Sequence, residues 1–159
     1  MAGGKKLPSK PRVVEPVLFT IGYEQHATPV SLVAALRAAG VTRLLDVREL
    51  PLSRRRGFSK TKLSEALGEA GITYEHERAL GNPKPLRDLY RSGRQPEGEA
   101  GYLAHVRNGS AWAVDELSET LREQPTCLLC FEEDHRTCHR TLIVSELRER
   151  VPELRVENL

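Results

Sequence analysis

From Val17 onward the chain alternates short apolar runs with segments whose apolar residues recur every three or four positions. No other feature restricts the fold as strongly, because strand and helix periods taken in turn describe a parallel sheet with crossover helices. The apolar run Val17 to Ile21 leads to Gly22-Tyr23, and Thr28-Pro29 then marks a helix start, with proline at the first helical position. Leu32, Val33, Leu36 and Ala39 form that helix's inward stripe, and Gly40 is placed to end it. Val41 to Val47 reads as a second strand. Leu63, Ala66, Leu67 and Ala70 mark a second helix ended by Gly71, and Ile72 to Tyr74 a short third strand. Ser110 reads as the cap of a helix with Val114, Leu117 and Leu121 on one face, and Trp112 on that helix is expected in the core. Pro125 precedes the most apolar strand, Thr126 to Phe131, and a final helix is expected from near Thr137 to about Arg150. The fold class that follows is α/β: a single-domain, three-layer, Rossmann-like arrangement with a mostly parallel central sheet and helices on both faces.

At 159 residues the chain suits one core, assigned to residues 17–159. Residues 1–16 mix Gly, Lys and Pro without periodicity and read as a disordered N-terminal tail. Residues 77–101, rich in Pro, Gly and charge, read as a long lid or substrate loop with one helical turn near Leu86 to Tyr90. No apolar stretch is long enough for a membrane helix, and the first sixteen residues lack a secretion signal's apolar segment. The three cysteines lie together between Cys127 and Cys138, unlike a spaced disulfide framework, which points to thiols or ligands in a reducing, cytoplasmic setting. A formal net charge of +2 neither requires nor excludes a nucleic-acid partner, so the distribution of charge matters more.

In open parallel sheets ligands sit beyond the carboxyl ends of the strands. Those ends carry Gly22-Tyr23, Asp46 with Arg48, Glu75-His76, and Cys130 with Glu132. Asp46 and Arg48 share a strand face by the two-residue period, so they either form a fixed ion pair or present both charges to a substrate. Residues 48–62 then hold six cationic side chains, Arg54, Arg55 and Arg56 among them, against the single Glu49. That loop is either a solvated face or a phosphate-binding one, since guanidinium grips phosphate oxygens in pairs. Tyr23 is placed either to stack on a ligand or to sit at the core rim with its hydroxyl bonded.

The second constellation is CLLCFEEDHRTCHRTLIV, residues 127–144. Cys127 and Cys130 fall on opposite strand faces and read as core residues. Cys138 is expected in the first turn of the last helix, where unpaired amides favour a thiolate; a nucleophile, a metal ligand and an inert thiol are all open. His139 and Arg140 are spaced to face the sheet rim, where they can meet the Asp46 and Arg48 strand end. Glu132 is a candidate general base or ligand, or a carboxylate favoured by the helix dipole. Glu132, His135, Cys138 and His139 together are candidates for a divalent metal, since carboxylate, imidazole and thiolate are all competent ligands. The spacing from Cys130 to Arg136 also matches a phosphatase C-x5-R loop, but Glu132, Glu133 and Asp134 would repel an anion there. Asp46-Val47-Arg48-Glu49 matches the opening motif of rhodanese sulfurtransferases without their downstream glycine segment.

Taken together, TIGYE at 20–24, DVRELPLSR at 46–54 with Phe58, YEHERALG at 74–81 and LLCFEEDHRTCHR at 128–140 resemble the prokaryotic family called domain of unknown function 488. The likeness runs from about Val17 to Leu147. It implies a single α/β domain with motif positions Tyr23, Asp46, Arg48, Ser53, Arg54, Cys130, Glu132, Cys138, His139 and Arg140, and it implies no activity. Where the family often carries an acidic residue followed by proline, this chain has Glu133-Asp134-His135.

Three functions are compatible with these residues. The first is an enzyme acting on a nucleotide or nucleic acid by hydrolytic acid and base chemistry, with Asp46, Glu132, Cys138 and His139 as catalytic residues; Tyr23, Arg48, Ser53, Arg54 and Arg140 would hold substrate and phosphate. The second is a cysteine-dependent sulfur- or group-transfer enzyme. The third is a non-catalytic module that binds nucleic acid. The partner expected is nucleic acid or a phosphorylated small molecule, with no membrane.

Overall fold

A computed structural model describes residues 15–159. Of the tail expected over residues 1–16, residues 1–14 lie outside the described residues, whereas Pro16 is ordered and buried against β5 rather than part of a disordered tail. Five strands form one sheet in the order β3-β2-β4-β1-β5: β1 Val17–Gly22, β2 Arg43–Asp46, β3 Thr73–His76, β4 Thr126–Cys130 and β5 Arg155–Asn158. Every pairing is parallel. β5 follows the last expected helix and was not anticipated; its Arg155 amide donates to the Pro16 carbonyl at 3.0 Å.

Side-chain alternation divides the core into two clusters, one on each sheet face. Phe19, Ile21, Leu44, Cys127 and Leu129 pack under α1 (Pro29–Ala38) and α2 (Lys60–Glu69). Leu18, Leu45, Leu128 and Val47 face α5 (Ala111–Thr120) and α6 (Arg140–Arg150). The three-layer α/β expectation therefore holds. Among the described residues no helix is long and apolar enough to cross a membrane.

The expected loop at residues 77–101 is instead helical. A 3-10 turn over Arg78–Leu80 precedes α3 (Lys84–Arg91) and α4 (Gln95–His105). Charge hid these helices, since α3 is polar along most of its length and buries no residue completely. Glycine shapes their contact: a Cβ at Gly98 would meet the Tyr90 ring at 2.8 Å, and one at Gly101 would meet Leu86 at 2.5 Å. Ser110 makes no cap hydrogen bond, because α4 runs on through a wide π turn, Val106–Ser110, directly into α5. Trp112 is 54% exposed rather than in the core. Ala113, Val114 and Leu117 fill the buried face of that helix, which leaves Trp112 on the opposite side.

β1 and β4 are neighbours, yet β1 feeds α1 on one face and β4 feeds α6 on the other. A crevice opens at such a switch point. The two strand ends touch there: a Cβ on Gly22 would lie 1.9 Å from the Glu132 carbonyl oxygen, so no larger residue fits between β1 and the turn after β4. The Tyr23 amide continues the pairing to Cys130 O at 3.2 Å, and Glu24 N to Phe131 O at 2.9 Å.

Candidate active site

A cleft of about 950 Å³ lies over the carboxyl ends of β1, β2 and β4. Its walls come from four segments: Tyr23 after β1, Arg48 to Arg55 after β2, Cys130 to Glu132 with Thr137 to His139 after β4, and Asn82 with Arg87 to Arg91 at α3. A volume of that size suits a single small ligand.

Asp46 and Arg48 resolve as a fixed pair. The Arg48 guanidinium donates to Asp46 through Nε at 2.9 Å and Nη2 at 2.6 Å, and through Nη1 to the Phe58 carbonyl at 2.8 Å. Tyr74 donates its hydroxyl to Asp46 Oδ2 at 2.6 Å. Burial works against the Arg48 charge, but the bond to Asp46 and that carboxylate's charge outweigh it and raise the guanidinium pKa. Asp46 is completely buried and does not line the cleft, so it orients Arg48 and is not placed to touch a substrate. Tyr23 takes the core-rim alternative: its ring stacks on Phe58 with centroids 4.7 Å apart and meets Phe131 edge-on at 5.2 Å. Arg55 is equally committed, donating to the carbonyls of Tyr23, Glu24 and His26. Ser53 Oγ accepts from the Arg55 amide at 3.1 Å, holding the loop turn. Of the loop arginines, Arg54 lines the cleft with an exposed side chain.

The chemically unusual residues gather on the other wall. Cys138 sits in extended backbone two residues before α6, not in its first turn, because it is the C-terminal cap of a separate 3-10 turn over His135–Thr137, itself capped by Asp134. Its sulfur lies 3.6 Å from His139 Nδ1 and accepts from Arg140 Nε at 3.4 Å. His139 Nε2 is 2.9 Å from the Val47 carbonyl, an atom that can only accept, so Nε2 carries a proton. Nδ1 is thereby turned toward both sulfurs, with Cys130 Sγ at 3.9 Å. The Tyr102 ring packs edge-on against the imidazole at 5.2 Å. His139 thus meets the β2 end as expected, whereas buried Arg140 turns back to Thr20 and the Glu132 carbonyl and does not reach the cleft.

These contacts separate the two thiols electrostatically. Burial alone would raise the Cys138 pKa, but the bond from Cys130 and the charges of His139 and Arg140 hold it well below the ordinary thiol range. Cys130 is pushed well above that range by its bond to Cys138, by burial and by the nearby charges of Cys138 and Glu132. Burial and the Cys138 charge raise the Glu132 carboxyl, whose Oε2 lies 3.1 Å from Cys130 Sγ. For His139, burial opposes the charge, while Cys138 and the Val47 carbonyl raise its pKa overall. The arrangement favours the thiolate form of Cys138 and the protonated form of His139, with Cys130 as a second thiol beside them.

The ligand atoms of Cys130, Cys138 and His139 lie within 4.8 Å of one another, close enough to share one metal ion. That set differs from the one expected from sequence. Glu132 and His135 both drop out of it, His135 lining a separate small pocket beside Thr20 and Arg140, and Cys130 enters because β4 delivers its last residue to the cleft. Sequence reasoning also missed Asn82, Arg87, Tyr90 and Arg91, which line the cleft from the segment read as a loop. Arg136 is exposed and paired with Asp134, away from Cys130, so the C-x5-R spacing forms no anion cradle.

The family described as Domain of unknown function DUF488 matches residues 28–147. The chain belongs to it. The matched span takes in the DVRELPLSR and CHR segments and so contains both walls of the cleft, while Tyr23 lies just before it. No curated protein and no solved structure matches the chain. Membership in the DUF488 family therefore accounts for the shared motifs and carries no activity with it.

Proposed function

We propose that this DUF488 protein is a cysteine-dependent enzyme acting on a small phosphate-bearing substrate, with Cys138 as nucleophile and His139 as its proton partner. One observation carries this reading: the Cys138 sulfur is held between His139 Nδ1 and Arg140 Nε at the edge of the cleft. A thiolate beside an imidazole and an arginine is an activated nucleophile. In the reaction, the thiolate electron pair forms a bond to the electrophilic atom. The leaving group departs with its bonding electrons and takes the proton from His139 Nδ1. Water or a second acceptor then displaces the sulfur and returns its proton to His139. Glu132, kept more basic by burial, is placed to exchange a proton with Cys130.

Arg54 and Arg91, both exposed and facing the cleft, supply the positive charge that suits a phosphate. The cleft's size favours a nucleotide or smaller phosphorylated molecule, or a single nucleotide unit of a nucleic acid, over a duplex. Saturating inorganic phosphate is expected to slow alkylation of Cys138 by iodoacetamide several-fold, with the protection lost in Arg54→Ala/Arg91→Ala. Unchanged alkylation at every phosphate concentration contradicts the phosphate part of the reading.

A second reading rests on a different observation, the convergence of Cys130, Cys138 and His139 within 4.8 Å. Two thiolates and an imidazole would suit zinc, and Cys130, Cys138 and His139 would hold it. Metal analysis separates the two readings. One equivalent of zinc in the purified protein, with alkylation blocked until a chelator is added, favours the metal centre.

A further inference from the structure

Among the described residues, two buried side-chain atoms have no hydrogen-bond partner, Asn82 Oδ1 and Tyr90 Oη. Both residues line the same cleft as Cys138. Proteins pair nearly all of their buried polar atoms, so two unpaired ones on residues that line one cleft mark where a bound molecule or water would complete the pairing. Asn82 is 5% exposed and follows the 3-10 turn after β3; its backbone carbonyl is already used by Arg87, which leaves the side-chain amide for another task. Tyr90 packs closely against α4 at Gly98, where a Cβ would come within 2.8 Å of its ring. Burial raises the Tyr90 pKa, so the phenol keeps its proton and remains a donor.

The rest of the cleft narrows the ligand class. Leu52 and Phe131, 69% and 41% exposed, line the cleft with apolar surface open to solvent. Arg54 and Arg91 add positive charge to the same cleft. A flat heteroaromatic ring fits that apolar surface, a phosphate fits the arginines, and an amide beside a phenol fits the mixed donor and acceptor edge of a base.

We propose that Asn82 and Tyr90 are specificity-determining residues that read the base of a nucleoside monophosphate bound in this cleft. The proposal rests on the phosphate-bearing substrate proposed above and deepens it by naming the base as the part recognised. A plain sugar phosphate would satisfy the arginines and leave both orphans unpaired.

Calorimetric titration of the Cys138→Ser protein tests this without requiring turnover. The probes are adenosine monophosphate and the same ribose phosphate without its base. The nucleotide is expected to bind ~10-fold or more tightly than the sugar phosphate, the scale of one or two net hydrogen bonds. Asn82→Leu and Tyr90→Phe are each expected to remove most of that difference while leaving sugar phosphate binding unchanged. Because each variant deletes an unpaired buried atom, the ligand-free Tm is expected to stay level or rise by a few degrees, which separates recognition from a merely structural role. Equal binding of nucleotide and sugar phosphate, or full nucleotide preference in both variants, overturns the proposal and leaves the phosphate reading standing. Absence of binding by either probe overturns both.

Discussion

Asp46→Ala is expected to lower the free energy of unfolding by about 3–5 kcal/mol, the scale on which removing one member of a buried ion pair leaves an uncompensated charge. Arg48 would keep only the Phe58 carbonyl and a long contact to the Tyr23 hydroxyl at 3.4 Å, and Tyr74 would lose its acceptor. For a domain whose whole stability is of order 5–15 kcal/mol, such a loss is visible as a large drop in the urea midpoint. Asp46→Asn retains one acceptor oxygen and is expected to cost less. A midpoint within error of wild type for Asp46→Ala would show that Asp46 is not the anchor of this strand end. The same contacts explain why an aspartate that looked catalytic in sequence is assigned a supporting role: both of its oxygens are occupied and solvent does not reach it.

His139→Ala is expected to slow alkylation of Cys138 at neutral pH at least about tenfold, since loss of the imidazole returns the thiol pKa above neutrality, where each further unit removes about a factor of ten in thiolate. The imidazole is a principal neighbour stabilising that sulfur, and Arg140 is the other charged one. Because the lost Val47 contact also unties α6 from β2, the folded fraction is monitored by circular dichroism in parallel. A folded variant with an unchanged rate contradicts the pairing of Cys138 with His139.

Much of this fold was legible because period and face agree. Leu44 and Leu45 enter opposite cores, as a period of two requires, and Leu32 and Leu36 are buried one helical turn apart. Tyr23, Arg48, Cys130 and Glu132, just past the ends of β1, β2 and β4, likewise meet at one cleft, with Asp46 held beneath it, because a parallel sheet brings its carboxyl ends to one edge. Residues 77–101 were not legible. α3 and α4 approach each other closely at Gly98 and Gly101, a contact that no short-range pattern encodes. Asn82 and Tyr90 were missed with them. β5 escaped for another reason: Arg155, Val156, Glu157 and Asn158 form a polar edge strand whose placement is fixed by pairing with β1. The roles of the arginines were also beyond sequence, since Arg54 and Arg55 are adjacent but one faces the cleft and the other grips three carbonyls.

The central claim is that Cys138 is a thiolate at neutral pH, and residue-resolved alkylation across pH tests it most directly. Iodoacetamide modification is followed by mass spectrometry at Cys127, Cys130 and Cys138. Because the Cys138 pKa is lowered, its rate is expected to be at plateau by neutral pH and to fall only on further acidification. Cys130 and Cys127, both raised by their surroundings, are expected to react slowly and only as pH climbs. A Cys138 rate that rises about tenfold per pH unit up to the ordinary thiol range of about 8.5 would contradict the account.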